Sequence, residues 1–175
     1  KLKTPACSLT RFWANDSDGF YTSPEDYALS DWLAYYLRMK KTEVIVLAAG
    51  KGTRMRSDEP KVLQMLGGRS LLDHVLGAVR GATPSQIYVV FGYGGDAVRR
   101  MTLGDDINWV QQEPQLGTGH AVSKVMPSVD PAADVLVVYG DVPLIQTQTL
   151  VRLVEAVEPG RLALLTSVLP DPTGY

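Results

Sequence analysis

Cysteine, histidine and long apolar runs are all scarce in this chain of 175 residues. No stretch approaches the roughly 20 apolar residues of a membrane-spanning helix. The N-terminus carries no apolar segment of the signal-peptide kind. No membrane partner is therefore expected, and a cytoplasmic location is the default. The one cysteine, Cys7, can build neither an internal disulfide nor a cysteine-based metal site, which fits a reducing compartment. A charge excess of one sign is also missing. The 17 basic and 19 acidic residues leave a net charge of -2, which argues against a protein that grips nucleic acid by bulk electrostatics. A small basic pocket for a phosphorylated ligand remains open. Internal repeats and low-complexity tracts are absent.

What is present is an ordinary globular composition, 45% hydrophobic and 21% charged, long enough for one domain with a core. Residues 1–38 differ from the rest. They hold eight of the fourteen aromatics, among them Trp13, Tyr27, Trp32, Tyr35 and Tyr36. Within them Ser23-Pro24-Glu25-Asp26 is a good helix start, since Ser caps, Pro suits the first turn and acids complement the positive helix end. A short aromatic-rich helix over 27–37 is expected. A natural start at Met39 is plausible, so 1–38 reads as an extension of unknown role, native or foreign, and 39–175 as the domain.

From residue 43 strands and helices alternate. Glu43–Ala48 is a β-branched apolar run, read as a buried strand. Residues 70–82 read as a helix with Ser70 and Asp73 as a capping pair and Leu71, Leu72, Val75, Leu76 and Val79 on one face. Strands follow at 86–91, 107–111, 135–139 and 161–169, and helices at 96–101, 118–126 and 147–157. This order predicts an α/β, Rossmann-like layered sheet, mostly parallel. Ligands of such sheets bind outside the carboxyl ends of the strands, where the loops 49–61, 112–118 and 140–144 emerge.

The first of these loops, Leu47-Ala48-Ala49-Gly50-Lys51-Gly52-Thr53-Arg54-Met55 with Pro60-Lys61 soon after, has the small residues that let backbone amides approach an anion. Arg54 and Lys61 add positive charge. It lacks the Gly-Lys-Ser/Thr ending of a Walker A loop. It also lacks the third glycine of the dinucleotide fingerprint, Met55 standing in its place, which disfavours a nicotinamide-binding domain. The whole string resembles the signature of sugar-phosphate nucleotidyltransferases. The segments Gln112-Glu113-Pro114-Gln115-Leu116-Gly117-Thr118-Gly119-His120-Ala121, Tyr139-Gly140-Asp141-Val142-Pro143-Leu144 and Asp171-Pro172-Thr173-Gly174-Tyr175 narrow the match. In order and spacing they resemble the bacterial bifunctional N-acetylglucosamine-1-phosphate uridyltransferase/glucosamine-1-phosphate acetyltransferase family, from about Met39 to the last residue.

That resemblance implies a nucleotide-diphospho-sugar transferase fold and a set of roles. Leu47, Ala48, Ala49 and Gly50 would form the backbone cradle for the nucleotide. Arg54 and Lys61 would be the catalytic cations on phosphate. Gln112, Gly117 and Thr118 would read uracil. Tyr139 and Gly140 would pass the ribose, and Asp141 would bind Mg²⁺. The expected partners are UTP, N-acetylglucosamine 1-phosphate and the product UDP-N-acetylglucosamine. The bottom-up chemistry agrees. An amide and backbone groups suit a pyrimidine edge, and a carboxylate at a strand end suits Mg²⁺. His74 is expected to be structural. His120, beside the base-reading loop, is a candidate for a positioning hydrogen bond and not for acid–base work. Glu113 is expected to be solvated. In the family the uridyltransferase domain continues past the Asp-Pro-Thr-Gly-Tyr string to sugar-binding residues and a second metal ligand. The chain as given is therefore expected to be truncated at the C-terminus, marginally soluble and unable to turn over. Without the acetyltransferase half, the family's homo-oligomer is not expected. The alternatives are another nucleotidyltransferase of the fold, such as a molybdenum-cofactor guanylyltransferase, and a non-catalytic nucleotide-binding fragment.

Overall fold

Burying Glu43–Leu47 on both faces requires helices on two sides of a sheet, and that is the arrangement observed. The structure is a computed structural model that describes residues 41–50, 59–92, 94–102, 104–158 and 160–166. All of them belong to one unit, Lys40–Tyr175. The helix expected over 27–37 lies outside the described residues.

The first strand, β1 (Thr42–Leu47), is followed by a single 3₁₀ turn at Lys61–Leu63 and a short hairpin of β2 (Met65–Leu66) and β3 (Arg69–Ser70). Then come α1 (Leu71–Gly81), β4 (Gln86–Phe91), α2 (Gly95–Met101), β5 (Ile107–Gln111), α3 (Thr118–Val125), β6 (Asp134–Tyr139) and α4 (Thr147–Glu155). The main sheet has the order β5-β4-β1-β6. All three of its pairings are parallel, with Val46 opposite Val89 on one side and Val138 on the other. The chain thus steps outward from β1 through β4 to β5, then returns across β1 to place β6 on its free side. In such sheets that reversal opens a crevice at the carboxyl ends of the two strands flanking it.

The helices follow the reversal. The helices α1, α2 and α4 cover one face, where Val44, Val46, Leu72, Val75, Leu76, Val79, Val98 and Leu150 form one core cluster. The other face packs Ile45, Tyr88 and Val90 against Ala121 and Val125 of α3. Three of these core side chains, Val44, Val46 and Val90, are strand valines, β-branched residues that fit a pleated surface. The Ser70–Asp73 capping pair forms as expected. The Asp73 amide donates to Ser70 Oγ at 3.0 Å, and the Ser70 hydroxyl donates to Asp73 Oδ2 at 2.7 Å. At the start of β1, Glu43 is buried beneath a polar cluster. Lys41 Nζ lies 3.3 Å from Glu43 Oε1, and Tyr88 Oη lies 3.2 Å from Oε2 and donates to the Ser128 carbonyl at 2.8 Å.

Two features depart from the sequence expectation. The 3₁₀ turn and the β2–β3 hairpin fall where only a loop was expected. Gly67 and Gly68, both with positive φ (57° and 83°), make the two-residue turn of that hairpin. The strand expected over 161–169 does not form in its described part. Residues 161–166 have no regular structure, and Leu162, Leu164 and Leu165 are exposed. An apolar run becomes a strand only with a neighbour to bond, and no described residue pairs with this one. On β6, Val137 and Tyr139 are likewise exposed, so the carboxyl half of that strand's α3-side surface is uncovered among the described residues, while Val135 packs on the core.

Candidate functional site

Three strand ends and one 3₁₀ turn supply the site. At the end of β1, the Ala48 amide donates to the Val90 carbonyl at 2.8 Å, and the Leu47 carbonyl accepts from the Gly140 amide at 2.9 Å. The first bond ties the exit of β1 to β4, and the second ties it to the exit of β6. Ala48 and Gly140 are buried in this junction. A Cβ on Gly140 would meet the Leu47 carbonyl oxygen at 3.1 Å, so the close approach needs glycine there. Ala49 is buried against the α3-side core, and Gly50 beyond it is exposed.

After Pro60 the 3₁₀ turn is anchored by Val62 and Leu63, which are 3% and 0% exposed. Its first residue, Lys61, points back across the crevice. Lys61 Nζ lies 2.6 Å from Asp141 Oδ2, joining residues 80 apart in sequence. The lysine and aspartate expected to serve phosphate and metal separately are thus paired to each other.

On the opposite wall, Gln112 extends β5, its amide donating to the Phe91 carbonyl at 2.8 Å. The Gln112 side chain is buried, and its Nε2 donates to the Gly117 carbonyl at 2.8 Å. The same Nε2 lies 3.2 Å from His120 Nδ1. Gly117 has a φ of 96° and precedes the first turn of α3, and its carbonyl also accepts from the Ala121 amide at 3.1 Å.

Between these walls lies a cavity of about 350 Å³, lined by Leu47, Ala49, Gly50, Lys61, Gln112, Gly117, Thr118, Tyr139 and Asp141, with Val62, Gln115 and Ala121. Residues expected to act on phosphate, base, ribose and metal therefore share one crevice. Ala48 and Gly140 stand behind it, and Arg54 lies outside the described residues. Sequence reasoning missed Gln115, whose side chain fills the space left by Gly92. It sat inside the motif but carried no separate signal. His74 is structural as expected, its Nε2 lying 2.8 Å from the Leu66 carbonyl and tying α1 to the hairpin. Glu113 is exposed.

The donor chemistry suits a hard divalent cation. Among the described residues no three His, Cys, Asp or Glu side chains cluster closely enough to hold an ion by themselves. Asp141 offers Oδ1, which has no hydrogen-bond partner among the described residues, since Lys61 bonds Oδ2. A hard divalent ion held by one or two carboxylates and completed by substrate phosphates and water fits a single carboxylate in an open crevice. No described helix is long and apolar enough to cross a membrane.

Comparison with known proteins gives a consistent picture. The family described as the MobA-like NTP transferase domain matches residues 44–170. The chain is 54% identical, over 133 residues, to the bifunctional protein GlmU of Pseudomonas syringae pv. syringae (strain B728a). That match covers 76% of this chain and 29% of the relative, so the chain spans about 29% of the length of the curated relatives it matches first. The kinship expected from the four motifs is therefore found. Among solved structures, a nucleotidyl transferase from Methanothermobacter thermautotroptrophicus is similar, with a TM-score of 0.58 and 28% identity, covering 66% of this chain and 57% of that one. So is Rv0371C of Mycobacterium tuberculosis in complex with manganese, with a TM-score of 0.57, 26% identity and coverage of 66% and 58%.

Proposed function

The chain belongs to the family of MobA-like NTP transferase domains, and from that premise we propose that its crevice binds the UTP of a uridylyl transfer to N-acetylglucosamine 1-phosphate. The domain that does this spans 39–175, with 1–38 an extension outside it. An oxygen of the sugar phosphate attacks the α-phosphorus of UTP. The bond from that phosphorus to the β-phosphate bridging oxygen breaks, pyrophosphate leaves, and UDP-N-acetylglucosamine forms. The nucleophile is already ionised at neutral pH, so no general base is needed. That agrees with a crevice that, among the described residues, offers Lys, Asp, amides and glycine and no Ser–His pair.

The observation that carries this reading is the polarity of the crevice. Lys61 and Asp141 face each other at one side, and Gln112 and Gly117-Thr118 form the other. A cation and a carboxylate suit the phosphate end, and a side-chain amide with backbone groups suits a base edge. Lys61 and Arg54 would neutralise the phosphates, and Ala49-Gly50 would let the backbone come close. Tyr139 would flank the ribose. Asp141 would hold Mg²⁺, which supplies positive charge to phosphate oxygens when bound. Positioning and electrostatic stabilisation are the main protein contributions to such transfers.

The family description, a MobA-like NTP transferase domain, supports one other reading, the molybdenum-cofactor guanylyltransferase of the same fold, which takes a guanine nucleotide. Competition among UTP, GTP, CTP and ATP for the crevice decides. UTP is expected to bind best. Preference for GTP moves the assignment to the second reading, and equal binding of all four removes the base-reading role of Gln112.

A further inference from the structure

The burial of Gln112 fixes more than its position. Its carboxamide nitrogen faces two groups. The Gly117 carbonyl oxygen, at 2.8 Å, can only accept, so the atom beside it must be Nε2 and not Oε1. His120 Nδ1 is 3.2 Å from that nitrogen. An amide nitrogen has no lone pair to offer, so the contact is a hydrogen bond only when Nδ1 is bare and accepts. Both amide hydrogens are then taken. Oε1 has no partner among the described residues and is not among the polar atoms sealed from solvent without one. Gln112 itself lines the crevice.

We propose that His120 is a positioning residue for base selection, holding the Gln112 amide so that it presents only an acceptor, Oε1, to the nucleobase. The inference rests on the proposed function and extends it to a residue that does not line the crevice. A half-turn of the amide would bring Oε1 against two acceptors, the Gly117 carbonyl and His120 Nδ1, and both oppose it. The fixed acceptor suits the N3–H of uracil. Cytosine has a bare N3, which would need the NH₂ that the lock keeps away from the cavity. Selectivity arises because a site built for one hydrogen-bond pattern leaves its groups unpaired with another. The imidazole is therefore the Nε2–H tautomer, with no proton on Nδ1. Its role is orientation, and no proton moves through it.

Two measurements on the 175-residue chain test this. A long-range ¹⁵N–¹H spectrum of the imidazoles should show His120 as the neutral Nε2–H tautomer without nucleotide. Competitive binding should then compare UTP with CTP for wild type, His120→Leu and His120→Asn. The asparagine restores an acceptor near the place of Nδ1, and the leucine does not. The UTP/CTP affinity ratio should fall roughly three- to tenfold in His120→Leu, the size of one neutral hydrogen bond, and return toward wild type in His120→Asn. Thermal unfolding of both variants separates this from a general loss of structure, which would weaken both nucleotides together. An Nδ1–H tautomer overturns the proposal, and so does an unchanged ratio in His120→Leu or an equal fall in the two variants. Failure of the wild-type chain to bind any nucleotide overturns the proposed function and this inference with it. Wild-type binding with an unaltered ratio in His120→Leu overturns this inference alone.

Discussion

Replacing Lys61 by methionine should weaken nucleotide binding, barely change stability and strengthen binding of a divalent ion without nucleotide. The Lys61–Asp141 pair has a short contact of 2.6 Å, but its side chains are 41% and 30% exposed. Water screens a pair at that exposure, and such pairs contribute about 0–1 kcal/mol to folding. Lys61→Met keeps an unbranched apolar stem of similar length, so the unfolding free energy should change by no more than ~1 kcal/mol. A charged contact to phosphate is larger, roughly 1.5–3 kcal/mol, which corresponds to about a ten- to hundredfold loss in UTP affinity. The third effect has the opposite sign. Without nucleotide the lysine competes with an ion for Asp141. Its removal should tighten Mn²⁺ binding by up to about fivefold, the equivalent of ~1 kcal/mol. Urea unfolding and calorimetric titration with UTP and with Mn²⁺ read the three quantities separately. A stability loss above ~2 kcal/mol would make Lys61 a structural residue. Unchanged UTP affinity would remove it from the phosphate side, and weaker Mn²⁺ binding would refute the competition at Asp141.

Three further outcomes follow from the geometry. Asp106 is held below its ordinary value of 3.8 chiefly by hydrogen bonds from Arg80, at 2.8 and 2.7 Å. A depressed carboxyl stabilises the fold above 3.8 and loses that contribution as pH falls through its lower folded value, so Arg80→Met should flatten acid unfolding curves below pH 3.8. Glu43 is 1% exposed, accepts from the Asp130 amide and lies 3.2 Å from Tyr88 Oη, so Glu43→Gln should cost roughly 1–3 kcal/mol in urea unfolding while leaving UTP affinity within about twofold. Gly140→Ala places a methyl against Leu47 O, Leu72 Cδ1 and Ala48 Cβ at 3.1, 3.3 and 3.4 Å, and should lower stability by about 1–3 kcal/mol as the β1–β6 exits are pushed apart. A Gly140→Ala chain with unchanged unfolding would show that this junction yields without strain.

The sheet was legible because its strands announce themselves locally. Val44, Ile45 and Val46 form an unbroken buried run, and the Ser70–Asp73 cap marks the start of α1 in the sequence itself. Period and caps do not encode partners, so the run at 161–166 could be read as a strand although no described segment bonds to it. The hairpin at 65–70 was hidden by its length, since two-residue strands carry no periodicity, although Gly67-Gly68 was a turn signal. At the site, Leu47, Lys61, Gln112, Tyr139 and Asp141 line one crevice, because all leave carboxyl ends of parallel strands or the turn beside them. The pairing of Lys61 with Asp141 and the double hold on the Gln112 amide depend on side-chain distances across 80 and 8 residues, respectively, and no local pattern reports these.

In the proposed function one crevice reads a uracil base on the Gln112 side and holds phosphates on the Lys61 side. Its most direct test is a titration of the isotopically labelled chain with UTP, followed through the Gln112 side-chain amide and the Asp141 backbone amide together. Both signals should shift along a single binding curve, and ATP at the same concentration should move the Asp141 signal more than the Gln112 amide. A UTP titration that perturbs neither signal, or one that moves the two along different curves, would contradict the account.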